Sequence, residues 1–192
     1  MELKEFVIFL LDSLKILLIA LAIVIPVRML LFQPFVVKGD SMEPNYHSGD
    51  YLIIDELSYR LRDPERGEVI VFKYPLNTSY RYIKRIIALP GETIDLKNGE
   101  VYVSRAGSEP TKVSEDLYIS DATREKWKTR LDYGPVTLKA DEFFVMGDNR
   151  NYSSDSRTWG VLPMKDITGR VVLRVSPFEV LLNTVNSVNS AN

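Results

Sequence analysis

Apolar residues fill the chain from Phe6 to Phe32, broken only at Asp12, Ser13, Lys15, Pro26 and Arg28. The charge-free core, Ile16 to Val27, is short for a bilayer span, which needs about 20 apolar residues. Its flanks extend it, because Lys15 and Arg28 can carry their charges to the interfaces on long apolar stems. The pattern predicts a tilted membrane-spanning helix over about Phe9 to Phe32. A cleaved leader is the competing reading, but Gln33-Pro34-Phe35 follows the run where a small-x-small site would be needed. A helix buried in a soluble core is the third.

Beyond Phe32 the pattern changes to short β-rich runs bounded by turn residues. These are Phe35 to Lys38, Tyr51 to Ile54, Glu68 to Tyr74, Tyr80 to Leu89, Thr93 to Leu96, Val101 to Val103, Glu142 to Met146 and Gly169 to Val175. Asn98-Gly99 between two alternating runs is a strong hairpin signal. Residues 106–135 are polar and irregular, with a short helix expected inside Glu115 to Arg130, and read as an insertion between strands. The tail from 181 to 192, rich in Asn, Ser and Val, is expected to fray. The predicted fold is mainly β: an antiparallel sheet domain preceded by one N-terminal helix.

Composition narrows the chemistry. A net charge of -2 gives no bulk attraction to nucleic acid. There is no cysteine, so thiol catalysis, thiolate zinc sites and disulfides are excluded. The single histidine, His47, excludes a zinc site made of several imidazoles. No cofactor or metal is expected.

Three polar clusters stand out: Gly39-Asp40-Ser41-Met42-Glu43-Pro44, Tyr82-Ile83-Lys84-Arg85-Ile86-Ile87, and Gly147-Asp148-Asn149-Arg150 followed by Ser153-Ser154-Asp155-Ser156-Arg157. A serine hydroxyl attacks a carbonyl only when a neighbour takes its proton. Lysine can do this when neutral, but at its ordinary pKa only about one amine in two thousand is neutral at pH 7, a cost of about 4.6 kcal/mol. Burial lowers that cost. Strand alternation puts Lys84 on one face with Tyr82 and Ile86, and Arg85 on the other with Ile83 and Ile87. That apolar company suits a dry amine, although a solvent-facing lysine on an edge strand fits the same run. Ser41, taken alone, also reads as a turn residue or helix cap. Asp155 lies between Arg150 and Arg157, which points to an ion pair. A Ser41-His47-Asp50 triad is the histidine alternative, made awkward by the three residues sharing one short loop.

Taken together, Ser41-Met42-Glu43-Pro44, Gly49-Asp50-Tyr51, Tyr82 to Glu92 with Lys84-Arg85 and Leu89-Pro90-Gly91, and Gly147 to Arg157 with Gly160 resemble the ordered blocks of bacterial type I signal peptidases. The resemblance covers Phe35 to Val175. It implies Ser41 as nucleophile and Lys84 as general base, with the Ser41 backbone N–H in the oxyanion hole. Ser153 is implied to orient the Lys84 amine by a hydrogen bond. Asp155 is implied to pair with Arg157, and with Arg85 as a further partner, while Asp148 braces the site. Phe35, Val37, Tyr82 and Ile83 are implied to line shallow substrate pockets. Some relatives carry a serine hydroxyl two residues before the nucleophile as second oxyanion donor; this chain has Gly39 there.

The implied organisation is a cytoplasmic stub and anchor over 1–33 and an extracytoplasmic Ser/Lys peptidase domain over 34–180. The implied substrates are signal peptides of secreted precursors, cleaved after small residues of the Ala-x-Ala type. The expected partners are those peptides and the lipid bilayer, with no nucleic acid, and a monomer is expected. Two alternatives remain: a related Ser/Lys peptidase that processes a pilin or one dedicated substrate, or cleaves itself as a repressor does, and a non-catalytic tethered domain that binds exported peptides.

Overall fold

The computed structural model describes residues 3–127, 132–175 and 179–180. The tail expected to fray lies outside them. Helix α1 (Leu3–Leu31) is followed by strands β1 (Phe32–Val36), β2 (Tyr51–Asp55), β3 (Val69–Tyr74), β4 (Asn77–Ala88), β5 (Glu92–Lys97), β6 (Glu100–Arg105) and β7 (Thr111–Lys112). Then come α2 (Asp121–Trp127), β8 (Tyr133–Thr137), β9 (Glu142–Met146), α3 (Ser156–Trp159), β10 (Leu162–Pro163), β11 (Ile167–Arg174) and β12 (Glu179–Val180). The protein is mainly antiparallel β with one N-terminal apolar helix, as the pattern predicts, and the described residues hold two short α-helices besides.

The stretch Lys4–Val24 of α1 has a mean hydropathy of 2.6 and none of it is buried against the rest of the chain. That excludes the buried core helix. The helix starts about two turns before the predicted span, because Lys4 and Glu5 fall outside the apolar pattern but are compatible with helical backbone.

Strand β1 follows α1 without a connecting turn. Pro34 lies inside β1, opposite Ile53, where a boundary was expected. An edge strand tolerates proline, because its outward N–H has no ladder to join, and β1 is the edge of the larger sheet. That sheet runs β1-β2-β11-β3-β4-β9-β10, with β12 on β11; the smaller runs β7-β6-β5-β8. The β5–β6 hairpin turns at Asn98 and Gly99, with φ of 53° and 78°, the left-handed pair a tight hairpin requires.

Strand β4 belongs to the core on both faces. From Ile83 to Ala88 every residue is buried. Ile83 packs with Val37, Met42, Leu52 and Val71, whereas Ile86 packs with Ile70, Phe72 and Val145, and Ile87 with Ile94 and Phe144. Lys84 and Arg85, on opposite faces of the strand, are both buried, at 3% and 4% exposure, so the solvent-facing edge-strand alternative for Lys84 fails. The strand is central, with β3 and β9 on either side.

Residues 106–135 are less irregular than expected. They supply β7, α2 and the first residues of β8, and β8 pairs with β5.

Candidate active site

Three segments converge because β4 and β9 are neighbours. Arg85 pairs with Met146 across the ladder, which puts the turn after β9 beside Lys84. The loop carrying Ser41 is drawn onto that turn: the Asn149 backbone N–H donates to the Ser41 carbonyl at 3.0 Å, and Asn149 Nδ2 donates to the Asp40 carbonyl at 3.1 Å. Met42, fully buried, plugs the loop into the core beneath.

Lys84 Nζ lies 2.7 Å from Ser41 Oγ and donates to the Ile83 carbonyl at 2.8 Å. The Tyr82 ring centroid is 5.6 Å from the same nitrogen. Burial pushes the Lys84 pKa down; Asp155 and Asp148 oppose this, Arg157 adds to it, and the result is about 8. At that value about one amine in ten is neutral at pH 7. A neutral amine accepts the Ser41 proton through the same 2.7 Å contact.

Two buried ion pairs frame the dyad. Arg85 donates through Nε and Nη2 to Asp148 at 2.8 and 2.7 Å, and through Nη1 to the Gly67 carbonyl at 2.7 Å. Arg157 holds Asp155 through Nε and Nη2, each at 2.8 Å. Asp155 also accepts from the Gly147 N–H at 2.9 Å. Burial raises the Asp155 pKa, but Arg157 and the Gly147 N–H outweigh it and hold the carboxyl below its usual range. Arg85 is not a partner of Asp155, contrary to expectation: its guanidinium is spent on Asp148 and Gly67. Arg150 pairs with Glu115, and only its backbone carbonyl reaches Arg157.

Two further expectations need adjusting. The Ser153 hydroxyl makes no hydrogen bond to Lys84; it is buried against Gly147 and faces the Asp155 carboxylate, whose pKa it helps to lower. The amine turns to Ser41 and Ile83 instead. Val37, at 2% exposure, lies in the core beneath the groove rather than on its surface. The groove itself, about 440 Å³, is lined by Phe35, Val36, Tyr82 and Ile83, by the polar Lys38, Ser79, Tyr80, Arg81 and Ser154, and by Ser41 and Lys84. His47 is exposed, and Asp50 accepts from its backbone N–H at 2.9 Å. Ser41 Oγ has Lys84 as its partner, so the histidine triad does not form.

Four contributors were not read from the sequence. Asn45 Nδ2 bridges Asp148 at 2.8 Å and the Tyr118 carbonyl at 2.7 Å. The Tyr118 ring lies 4.0 Å from the Arg85 guanidinium. Glu115 neutralises Arg150, and Asn149 holds the serine loop. Asn149 sits inside a recognised block, which is a usable signal. Glu115 and Tyr118 sit in the irregular segment and carry none.

Residues 10–176 match the family model described as signal peptidase, peptidase S26. The chain is 37% identical over 168 residues to a probable signal peptidase I-2 of Synechocystis, covering 85% of this chain and 72% of that protein. It is 34% identical over 178 residues to a signal peptidase I of Bacillus amyloliquefaciens, covering 91% and 92%. A crystal structure of a signal peptidase I from Enterococcus faecalis aligns with a TM-score of 0.47 at 29% identity, over 57% of this chain and 97% of that one. With a family match spanning most of its length, and relatives that align nearly end to end, the chain belongs to the signal peptidase family, peptidase S26.

Proposed function

We propose that this protein is a membrane-anchored serine endopeptidase that removes signal peptides from exported precursors, with Ser41 as nucleophile and Lys84 as general base. The observation that carries the reading is the 2.7 Å contact between Ser41 Oγ and a Lys84 amine that is 3% exposed. Neutral Lys84 takes the Ser41 proton as Oγ bonds to the scissile carbonyl carbon. The carbonyl π pair moves to oxygen, facing the Ser41 N–H. Collapse breaks the C–N bond, and the Lys84 ammonium returns its proton to the leaving amine. Lys84 then takes a proton from water, which attacks the ester, and Ser41 regains its hydrogen as the carboxyl product leaves.

An extended peptide fits the groove between the Phe35–Val36 run and the Tyr82–Ile83 run as an added strand. The apolar side chains of Phe35, Val36 and Ile83 within its lining suit small apolar residues before the cleaved bond. Asp148, Asp155, Arg85 and Arg157 brace the dyad, and Ser153 fills the space beside Gly147. Residues 1–33 form the cytoplasmic stub and anchor, and 34–180 the peptidase domain, facing away from the cytoplasm. Both catalytic groups lie on one chain, so the monomer suffices.

Ser41→Ala and Lys84→Ala are each expected to abolish precursor cleavage while leaving the melting temperature within a few degrees. Normal processing by either variant overturns the assignment. Offering a generic secreted precursor beside a pilin distinguishes the general enzyme from one dedicated to pilin processing.

A further inference from the structure

We infer that Asn149 is a positioning residue that aims the Ser41 backbone N–H into the oxyanion hole; this rests on the Ser41 reading above. The peptide planes on both sides of Ser41 are held through their carbonyls by this one residue, Asp40 by the side chain at 3.1 Å and Ser41 by the main chain at 3.0 Å. In a trans peptide the N–H points opposite to the C=O. Fixing the Asp40 carbonyl toward the turn after β9 therefore turns the Ser41 N–H away from it. Among the described residues that N–H has no hydrogen-bond partner. An unpaired N–H beside a nucleophile is what a developing oxyanion requires.

The Asn149 amide supports the same conclusion. The residue is 3% exposed, and its Oδ1 is buried without a partner. Reversing the amide would set Oδ1 against the Asp40 carbonyl oxygen, so the orientation is forced. The side chain leaves its acceptor unsatisfied in order to donate to Asp40. The Asp40 carbonyl also accepts from the Glu43 N–H at 3.2 Å, a longer bond within the loop that leaves the peptide free to tilt once Asn149 is lost. Gly39, two residues before Ser41, brings no side-chain donor, so the aim of the single N–H matters more.

The test compares the full chain in detergent with Asn149→Ala and with Asn149→Asp, which keeps the size but replaces the donor by a carboxylate. Removing one oxyanion donor costs about 100- to 1000-fold in kcat. A misdirected one is expected to cost about 10- to 100-fold, with KM within about threefold. A substrate-derived peptide aldehyde, whose adduct with Ser41 carries the oxyanion, should bind more weakly by the same factor as kcat/KM falls. The cleaved product peptide should bind as before, and the pH midpoint of the Ala variant should not move. A change in KM alone, unaltered kcat, or aldehyde affinity that fails to follow kcat/KM overturns the proposal. If the Ala variant does not fold, the Asp variant decides; failure of both to fold assigns Asn149 to stability and overturns it too. Ser41→Ala run alongside separates the readings: its full activity sinks the site itself, whereas an inactive Ser41→Ala beside a fully active Asn149→Ala sinks only this inference.

Discussion

A single nitrogen controls the chemistry. Burial lowers the Lys84 pKa to about 8, against two carboxylates that raise it. The active form is the neutral amine, so kcat/KM should rise with pH through about 8 and level off above it. A pH–rate profile on a fluorogenic small-x-small peptide checks this, and a flat profile between pH 6 and 10 contradicts it. Gly147 sets a second limit at this scale. A Cβ there would stand 2.2 Å from Ser153 Oγ and 2.4 Å from the Ser41 carbonyl oxygen. One of these is backbone of the nucleophile loop, so Gly147→Ala should displace Ser41 and reduce kcat by at least about 100-fold, given how steeply rate falls with a misplacement near 1 Å. The kinetics of the folded variant test it. The proximity of Ser41 and Lys84 was legible only through the ordered blocks, since each alone reads as a turn serine or a surface lysine; the structure sets them 2.7 Å apart. The Ser153 hydrogen bond was not, since its absence depends on which way two side chains turn.

At the level of elements, the segment before α2 acts as a strap over the base of the site. Glu115 meets Arg150, and Tyr118 covers Arg85, so two arginines next to the dyad depend on a stretch that sequence reads as irregular. Both members of the Glu115–Arg150 pair are buried, at 6% and 7% exposure. Removing one partner leaves a buried charge unpaired, at about 3–5 kcal/mol. Glu115→Gln should therefore lower the melting temperature by about 6–20 °C, as read by circular dichroism, with activity falling alongside the folded fraction. The strands were visible through alternation and turn residues, and the Asn98-Gly99 hairpin closes as its sequence requires. The strap was invisible because its contacts are single long-range side chains, 35 positions apart for Glu115 and Arg150, with no local period. The two-sided burial of β4 was hidden for a related reason. Alternation assumes one wet face, and a central strand has none.

For the molecule as a whole, the order of blocks along the chain was plain but their convergence was not. It arises from the ladder that places β4 beside β9, and from Asn149 drawing in the loop after β1. The apolar helix was legible from its length; its helical backbone extends beyond the apolar run to Leu3, because Lys4 and Glu5 do not end a helix. Strand β1 begins at Phe32, directly after α1 ends at Leu31, and Ser41 follows ten residues beyond that junction. Even fully extended, those ten residues reach about 35 Å. With α1 in a bilayer, the nucleophile stands on a short, jointless post, so distance from the lipid sorts scissile bonds before any pocket reads their side chains. Matching sites far out in a folded, exported domain stay beyond its reach.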